Sequence, residues 1–190
     1  MVIFDNMEQK WTNKLNNDEF NLIVSTWYPL LKKGAIEKIK SQMHDLGEKL
    51  QLQHPKFHYK ITLGENLQSL PYLVLDFPKL PGPQFPFVCR TLFWWGRGIY
   101  LQLIIESSLL PQTFWARAEP NDCIYTGKNI WENDLQNPDY RTVASLNAEE
   151  MALVQTEKYV KLVREIGIKK TDNLFEEAIG FYQNFEELLA

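Results

Sequence analysis

The sequence predicts an α+β domain: an antiparallel sheet of four or more strands, a meander with a hairpin at 87–106, packed against an N-terminal helix and a C-terminal αα-hairpin. Three observations predict it. Apolar residues recur at three- and four-residue steps before residue 50, a period of two takes over between 57 and 106, and helical spacing with a capping box returns after 146. No repeat, low-complexity tract or long linker interrupts the chain, so residues 1–190 read as a single globular domain.

The first element is a helix from about Trp27 to Leu50. Ile36, Ile39, Met43, Leu46 and Leu50 form one apolar stripe, and Glu37, Lys38, Lys40 and Glu48 occupy the opposite face. With Thr26 as N-cap, Pro29 falls in the first turn, where backbone donors have no intrahelical partner. The preceding residues, Asp18 to Ser25, read as a further helical turn or an extended arm.

Strands follow. Phe57, Tyr59, Ile61 and Leu63 alternate with His58, Lys60 and Thr62, the pattern of a half-buried strand. Tyr72–Phe77 is a second β-rich run, closed by Pro78, Pro81, Gly82, Pro83 and Pro86. Phe87–Trp95 and Ile99–Glu106 flank Gly96-Arg97-Gly98, where glycine supplies the positive φ of a tight turn. A weaker strand is expected at Cys123–Thr126, after a loop or short helix containing Trp115, Arg117 and Glu119. For the αα-hairpin, Asn147 and Glu150 resemble a capping box, and Tyr159, Leu162, Val163 and Ile166 hold helical spacing as far as Gly167. A last helix is expected from a cap at Thr171 or Asp172, with a stripe of Leu174, Ala178, Ile179, Tyr182, Phe185, Leu188 and Leu189.

Composition narrows the function classes. An apolar share of 45% with 23% charged residues is that of a packed protein, which argues against disorder. The 20 basic and 24 acidic residues are interspersed, with a net charge of −4, so there is no basic stripe for nucleic acid. Cys89 and Cys123 fit neither a disulfide framework nor a zinc ribbon, and reduced thiols place the expected compartment in the cytoplasm. The start, Met1-Val2-Ile3-Phe4-Asp5-Asn6, lacks the pattern of a secretory leader. The most apolar stretch, Phe85 to Ile105, is interrupted by Arg90, Arg97 and Gln102, so no membrane span is expected.

No constellation specifies a chemistry. His54 and His58 have the i, i+4 spacing of helical metal ligands, but Pro55 intervenes and His58 sits in an alternating strand, where four residues span about 13 Å. Neither a metal nor a cofactor is therefore expected. Asp76, at the end of an apolar strand, reads either as an acid–base group or as a carboxylate bonding donors of the following turn. Cys89 alternates with Phe87, Thr91 and Phe93 and is expected to point into apolar packing. Gly96-Arg97-Gly98 is too short to cradle phosphate, and no dinucleotide, P-loop or nucleophile-elbow motif occurs.

The most informative feature is Trp94-Trp95. Neighbouring strand residues face opposite sides, so one indole is expected in the core and the other on a second sheet face with Val88, Arg90 and Leu92 or their counterparts. The same alternation projects His58, Lys60, Thr62, Tyr100, Gln102 and Glu106 onto that face, with Tyr72 and Asp76 if their strand is in phase. His58, Asp76, Arg90, Trp94, Tyr100 and Gln102 form the candidate binding face. It reads in three ways: covered by the N-terminal arm or the 107–146 segment, an interface for a protein partner or a second copy, or a ligand site. A non-enzymatic binding or assembly protein is the leading functional expectation. The alternative is a small hydrolase or transferase with Asp76 and His58 as acid and base and Arg90 as anion contact.

Two stretches, Pro71-Tyr72-Leu73-Val74-Leu75-Asp76-Phe77-Pro78 and Arg90-Thr91-Leu92-Phe93-Trp94-Trp95-Gly96, resemble segments of a family of small uncharacterised Bacteroidota proteins. The resemblance is confined to these central segments. It implies a bacterial cytoplasmic origin and carries over no activity and no site residue.

Overall fold

The computed structural model describes residues 15–82, 85–167 and 176–189. The chain divides into two compact units, residues 1–39 and 40–190. In the first, α1 (Asn17–Val24) opens on a capping box in which the Asn16 side chain accepts from the Glu19 N–H and Glu19 accepts from the Asn16 N–H. No side chain of α1 is buried. α2 (Trp27–Gln53) then begins with the Ser25 hydroxyl accepting from the Tyr28 N–H at 3.4 Å. Pro29 falls in its first turn, where its missing donor costs nothing. Within the second unit α2 buries Met43, Leu46 and Leu50, the stripe its spacing predicts.

The second unit is built on a seven-stranded sheet ordered β1-β2-β3-β4-β7-β5-β6, with every pairing antiparallel. Its strands are β1 (Lys60–Leu67), β2 (Leu70–Phe77), β3 (Phe87–Trp94), β4 (Gly98–Glu106), β5 (Cys123–Tyr125), β6 (Tyr140–Thr142) and β7 (Tyr159–Ile166). The expected hairpin at 87–106 is β3–β4, turned through Gly96 at φ 71°. The β1–β2 turn is less ordinary: Gln68 and Ser69 both adopt positive φ, 49° and 65°, in a two-residue connection of the kind that favours Asn-Gly.

One part of the sequence reading is corrected. Tyr159–Ile166 is strand β7, so the C-terminal αα-hairpin does not form. The Asn147–Glu150 capping box is present, but it opens only the short α4 (Ala148–Val154). Tyr159, Leu162, Val163 and Ile166 fit a helical period, yet the same octet also presents Val160, Leu162 and Ile166 on one side of a strand. The neighbouring backbone decides between them. β4 is buried along almost its whole length, and its second edge would hold unpaired amides and carbonyls without β7 beside it. The later C-terminal helix exists as α5 (Glu176–Gln183), followed by a 3-10 turn at Glu186–Leu189. Its proposed caps Thr171 and Asp172, and Leu174, lie outside the described residues.

Burial shows how the sheet is covered. β3 and β4 are almost continuously buried, which requires material on both faces. On the first face lie Leu73, Leu75, Phe77, Cys89, Thr91, Leu101 and Leu103. α5 covers them with Ala178, Phe181, Tyr182 and Phe185, and the Tyr182 and Thr91 hydroxyls meet at 2.8 Å. The rings of His54 and Phe57 approach Phe77 on the same side, at 6.3 and 6.1 Å. Phe114 of the short α3 (Phe114–Arg117) packs on Phe185. Burial also raises the pKa of the Cys89 thiol, which leaves it protonated and inert. On the second face the cover is not a helix but the irregular chain from 126 to 139, described below. No helix among the described residues is long and apolar enough to cross a membrane.

Of the tryptophan pair, Trp94 is the buried member, at 1% exposure, and it belongs to the second face. Its indole N–H donates to the Leu67 carbonyl at 3.0 Å, and its ring meets Tyr100 edge-on. Trp95 is half-buried. Trp94→Ala is therefore expected to cost about 3–5 kcal/mol in urea unfolding, and Trp95→Ala far less; equal losses would refute this packing. At the β1–β2 turn, Ser69→Gly removes the Cβ strain of a left-handed residue. It is expected to raise the unfolding free energy by about 0.5–1 kcal/mol.

Candidate functional site

The strand register assembles the second face row by row. Lys60, Asp76, Arg90, Gln102, Val163 and Cys123 are successive cross-strand neighbours, and Thr62, Val74, Leu92, Tyr100 and Glu165 form the next row. Tyr72 and Trp94 pair in the third, with Gly64 and Gly98 beyond them. Gly64 is required there because a Cβ would run into the Tyr72 ring. Asp76, Arg90, Trp94, Tyr100 and Gln102 thus share one face: alternation projects Arg90, Tyr100 and Gln102 onto it, and the register supplies the phase of Asp76 and places Trp94 rather than Trp95 there. His58 does not join them: it precedes β1, its side chain is exposed, and its carbonyl accepts from the Lys79 N–H.

The buried Asp76 and the partly buried Arg90 make a bidentate pair. Arg90 Nε donates to Asp76 Oδ1 at 2.6 Å and Nη2 to Oδ2 at 3.0 Å, the fork geometry that suits guanidinium to carboxylate. The Arg90 guanidinium also lies 4.6 Å from the centre of the Trp131 ring. Among the described residues the partner of the Asp76 carboxylate is therefore Arg90, and neither the following turn nor His58. Both of its oxygens are committed to Arg90, so the acid, base and anion clamp imagined for a catalytic site do not converge.

The polar row runs between two apolar clusters. One joins Val74, Leu92, Trp94, Tyr100, Tyr125 and Tyr140; the other joins Phe85, Val88 and Ile104 with Leu80 and Ile130 against them. Over the row lies the 126–139 segment, folded on its own polar side chains. Asn129 Oδ1 accepts from the Trp131 N–H, Glu132 Oε1 from the Asn133 and Asp134 N–H groups, Asp134 Oδ1 from Gln136 and Asn137 Oδ1 from Asp139. Among the described residues, side chains from outside the segment anchor it, Tyr140 from its end and three others from the sheet and its β1–β2 turn. Gln102 Nε2 donates to Asn133 Oδ1 at 2.9 Å, and Gln68 Nε2 reaches from the strained β1–β2 turn to Asp134 Oδ2 at 3.1 Å. Lys161 is the third.

Lys161, on β7, is 1% exposed. Its ammonium donates to the Ile130 carbonyl at 3.1 Å, to the Glu132 carbonyl, and to Asn133 Oδ1 at 3.5 Å. The rings of Tyr125 and Tyr140 lie about it at 6.0 and 5.8 Å, and the Tyr140 hydroxyl donates to the same Glu132 carbonyl. Burial pulls the amine down to about 7, with repulsion from Arg90 adding to the effect and Glu132 opposing it. The amide oxygen of Gln102 is buried and accepts from no described residue.

Where the cover leaves the sheet, a recess of about 330 Å³ remains. Its floor is Tyr72, Val74, Arg90 and Leu92; Leu67 and Leu80 form its rims, and Trp131 and Asn133 its wall. A larger recess of about 520 Å³, bordered by Glu48, Gln51, Leu52, Pro55 and Tyr59, contains no buried residue and lacks a charged group held in place. Among the described residues no group of three His, Cys, Asp or Glu side chains is placed to hold a metal ion.

Trp131, Asn133 and Lys161 escape the sequence reading. The cover could have been suspected from Asn129, Asn133, Asp134, Asn137 and Asp139, whose spacing suits successive side-chain-capped turns. Lys161 is masked by the helical reading of its segment. Compared with protein-family models, with curated proteins and with solved structures, the chain finds no match.

The Lys161 environment predicts a pH dependence. Its folded pKa lies below the unfolded one, so between about pH 7 and 10 the unfolded chain binds more protons, and this group contributes stability that rises with pH. Relative to Lys161→Met, the wild type is expected to gain about 2 kcal/mol between pH 7 and 9 in parallel denaturant titrations. A gap that stays constant over that interval would show an ordinary amine.

Proposed function

We propose that this protein is a non-catalytic binding protein whose recess on the second sheet face holds a small amphiphilic acid, an apolar tail with a carboxylate. One observation carries the reading: a largely buried guanidinium, fixed by Asp76 and Trp131, lies in the floor of an otherwise mostly apolar recess. Asp76 engages Nε and Nη2, two of the five N–H donors, and leaves the Nη1 edge for a second carboxylate. Asn133 adds a polar side chain at the wall. Leu67, Val74, Leu80 and Leu92 would receive the tail, and burial of each CH₂ contributes about 0.8 kcal/mol. The unpaired thiols of Cys89 and Cys123 support a reducing cytoplasm as its place of work.

The test compares octanoate with octanol, which keeps the tail and lacks the charge. Titrations followed by NMR are expected to shift the Arg90 Nε and Trp131 Nε1 signals saturably with octanoate, and octanol is expected to bind about tenfold more weakly or worse. Arg90→Met should remove the preference for the acid. Because that change leaves Asp76 buried and unpaired, Val74→Phe provides a second arm: it fills the recess, keeps the ion pair, and should abolish binding of both probes. Failure of octanoate to saturate at millimolar concentration, or saturation unaffected by Val74→Phe, would sink the reading.

A further inference from the structure

We infer that the N-terminal unit is a self-association arm whose partner is the same arm of a second copy of this chain. The inference concerns residues 15–39 and does not rest on the recess. Among the described residues thirteen large apolar side chains stand exposed, and eight of them lie within residues 15–31. Phe20, Ile23, Val24, Trp27, Leu30 and Leu31 are each 55–69% exposed. Phe20, Ile23 and Val24 follow three- and four-residue steps within α1, and Trp27, Leu30 and Leu31 do so within α2, the two helices being separated by the extended Ser25.

At roughly 100 Å² of exposed surface apiece, these six side chains offer about 600 Å² per copy, so that two copies reach about 1,200 Å², the lower end of a standard-size interface. Monomers rarely leave so much contiguous apolar surface in water. The charge pattern identifies the occupant. No charged residue occurs between Phe20 and Leu31; Asp18 and Glu19 stand at one end of that window and Lys32 and Lys33 at the other. A two-fold axis with the arms antiparallel sets apolar window against apolar window and the acidic end of each copy against the basic end of the other, the reciprocity an isologous interface demands. A membrane-surface helix would instead carry lysine and arginine along its polar face, and here the first turn of α1 is acidic. Gly34, where an added Cβ would meet nothing within 4 Å, leaves α2 open to a close neighbour just past Leu31.

Sedimentation equilibrium of the full chain tests this. A dimer of twice the 22.4 kDa chain is expected at about 10 μM. Ile23→Asp combined with Leu31→Asp should weaken it at least about 30-fold while leaving the thermal melt of the monomer unchanged. Lys33→Glu should weaken it too, and adding Asp18→Lys to Lys33→Glu should restore it, which a partner of any other kind would not require. A chain that stays monomeric throughout, or a dimer indifferent to these changes, overturns the inference. So does a monomer that co-sediments with vesicles of phosphatidylcholine and phosphatidylserine.

Discussion

A buried lysine, Lys161, is the central anchor of the cover on the second face of the sheet. β3, β4 and β7 are buried on both sides, so the sheet needs two covers, and α5 with its neighbours supplies only one. The other is irregular chain, whose backbone groups have no ladder or helix to satisfy them. Asx-type turns take up many of its amides. Lys161 takes up the carbonyls of Ile130 and Glu132 from its place on β7, with three donors on one nitrogen. Among the described residues the ammonium has no carboxylate partner in direct contact, and it is held by carbonyl oxygens and the faces of two tyrosines. This cation belongs to the packing of the domain, and its depressed pKa records the cost of burying it.

Each face of the sheet carries one bidentate arginine–aspartate pair. On the second, Asp76 and Arg90 are cross-strand neighbours, brought together by register alone. On the first, Arg164 of β7 binds both oxygens of the buried Asp122, which also accepts from the Glu119 N–H and so fixes the turn entering β5. Arg164 lies 4.9 Å from the Phe181 ring, under α5. The pairs have different surroundings. Arg164 has a second carboxylate partner in Glu119 and lies against the Phe181 ring, whereas Arg90 lines a recess and, among the described residues, is paired with Asp76 alone. That difference is why ligand binding is assigned to the second face.

Strain at the β1–β2 turn serves the same face. Two non-glycine residues at positive φ are unfavourable in isolation, yet the turn places Leu67 to accept from the Trp94 indole and Gln68 to hold Asp134. The hydrogen bond from Gln68 holds the Asp134 carboxyl below the usual range, with the Gln136 amide adding to it. The rim of the recess is thus tied to the cover by a conformation that local propensity would not select.

With the phase of Asp76 and the choice between Trp94 and Trp95 left to the strand pairing, the sequence by itself determined the α+β class, the 87–106 hairpin, the buried stripe of α2, and the placing of Arg90, Tyr100 and Gln102 on one face. These follow from periods of 3.6 and 2.0, which are local properties of the backbone and need no knowledge of what lies opposite. The tertiary structure decided the rest. Tyr159–Ile166 carries apolar residues that satisfy both periods, and only the open edge of β4 selects the strand. His58 alternates in phase with the face but lies before the first paired residue of β1, so phase alone could not bring it to the site. The cover and its anchor were invisible because they join residues about 30 positions apart, Lys161 to Ile130 and Gln102 to Asn133, through side-chain-to-loop contacts that leave no periodic trace. Such contacts depend on where the chain has already folded, and no window of neighbouring residues contains that information.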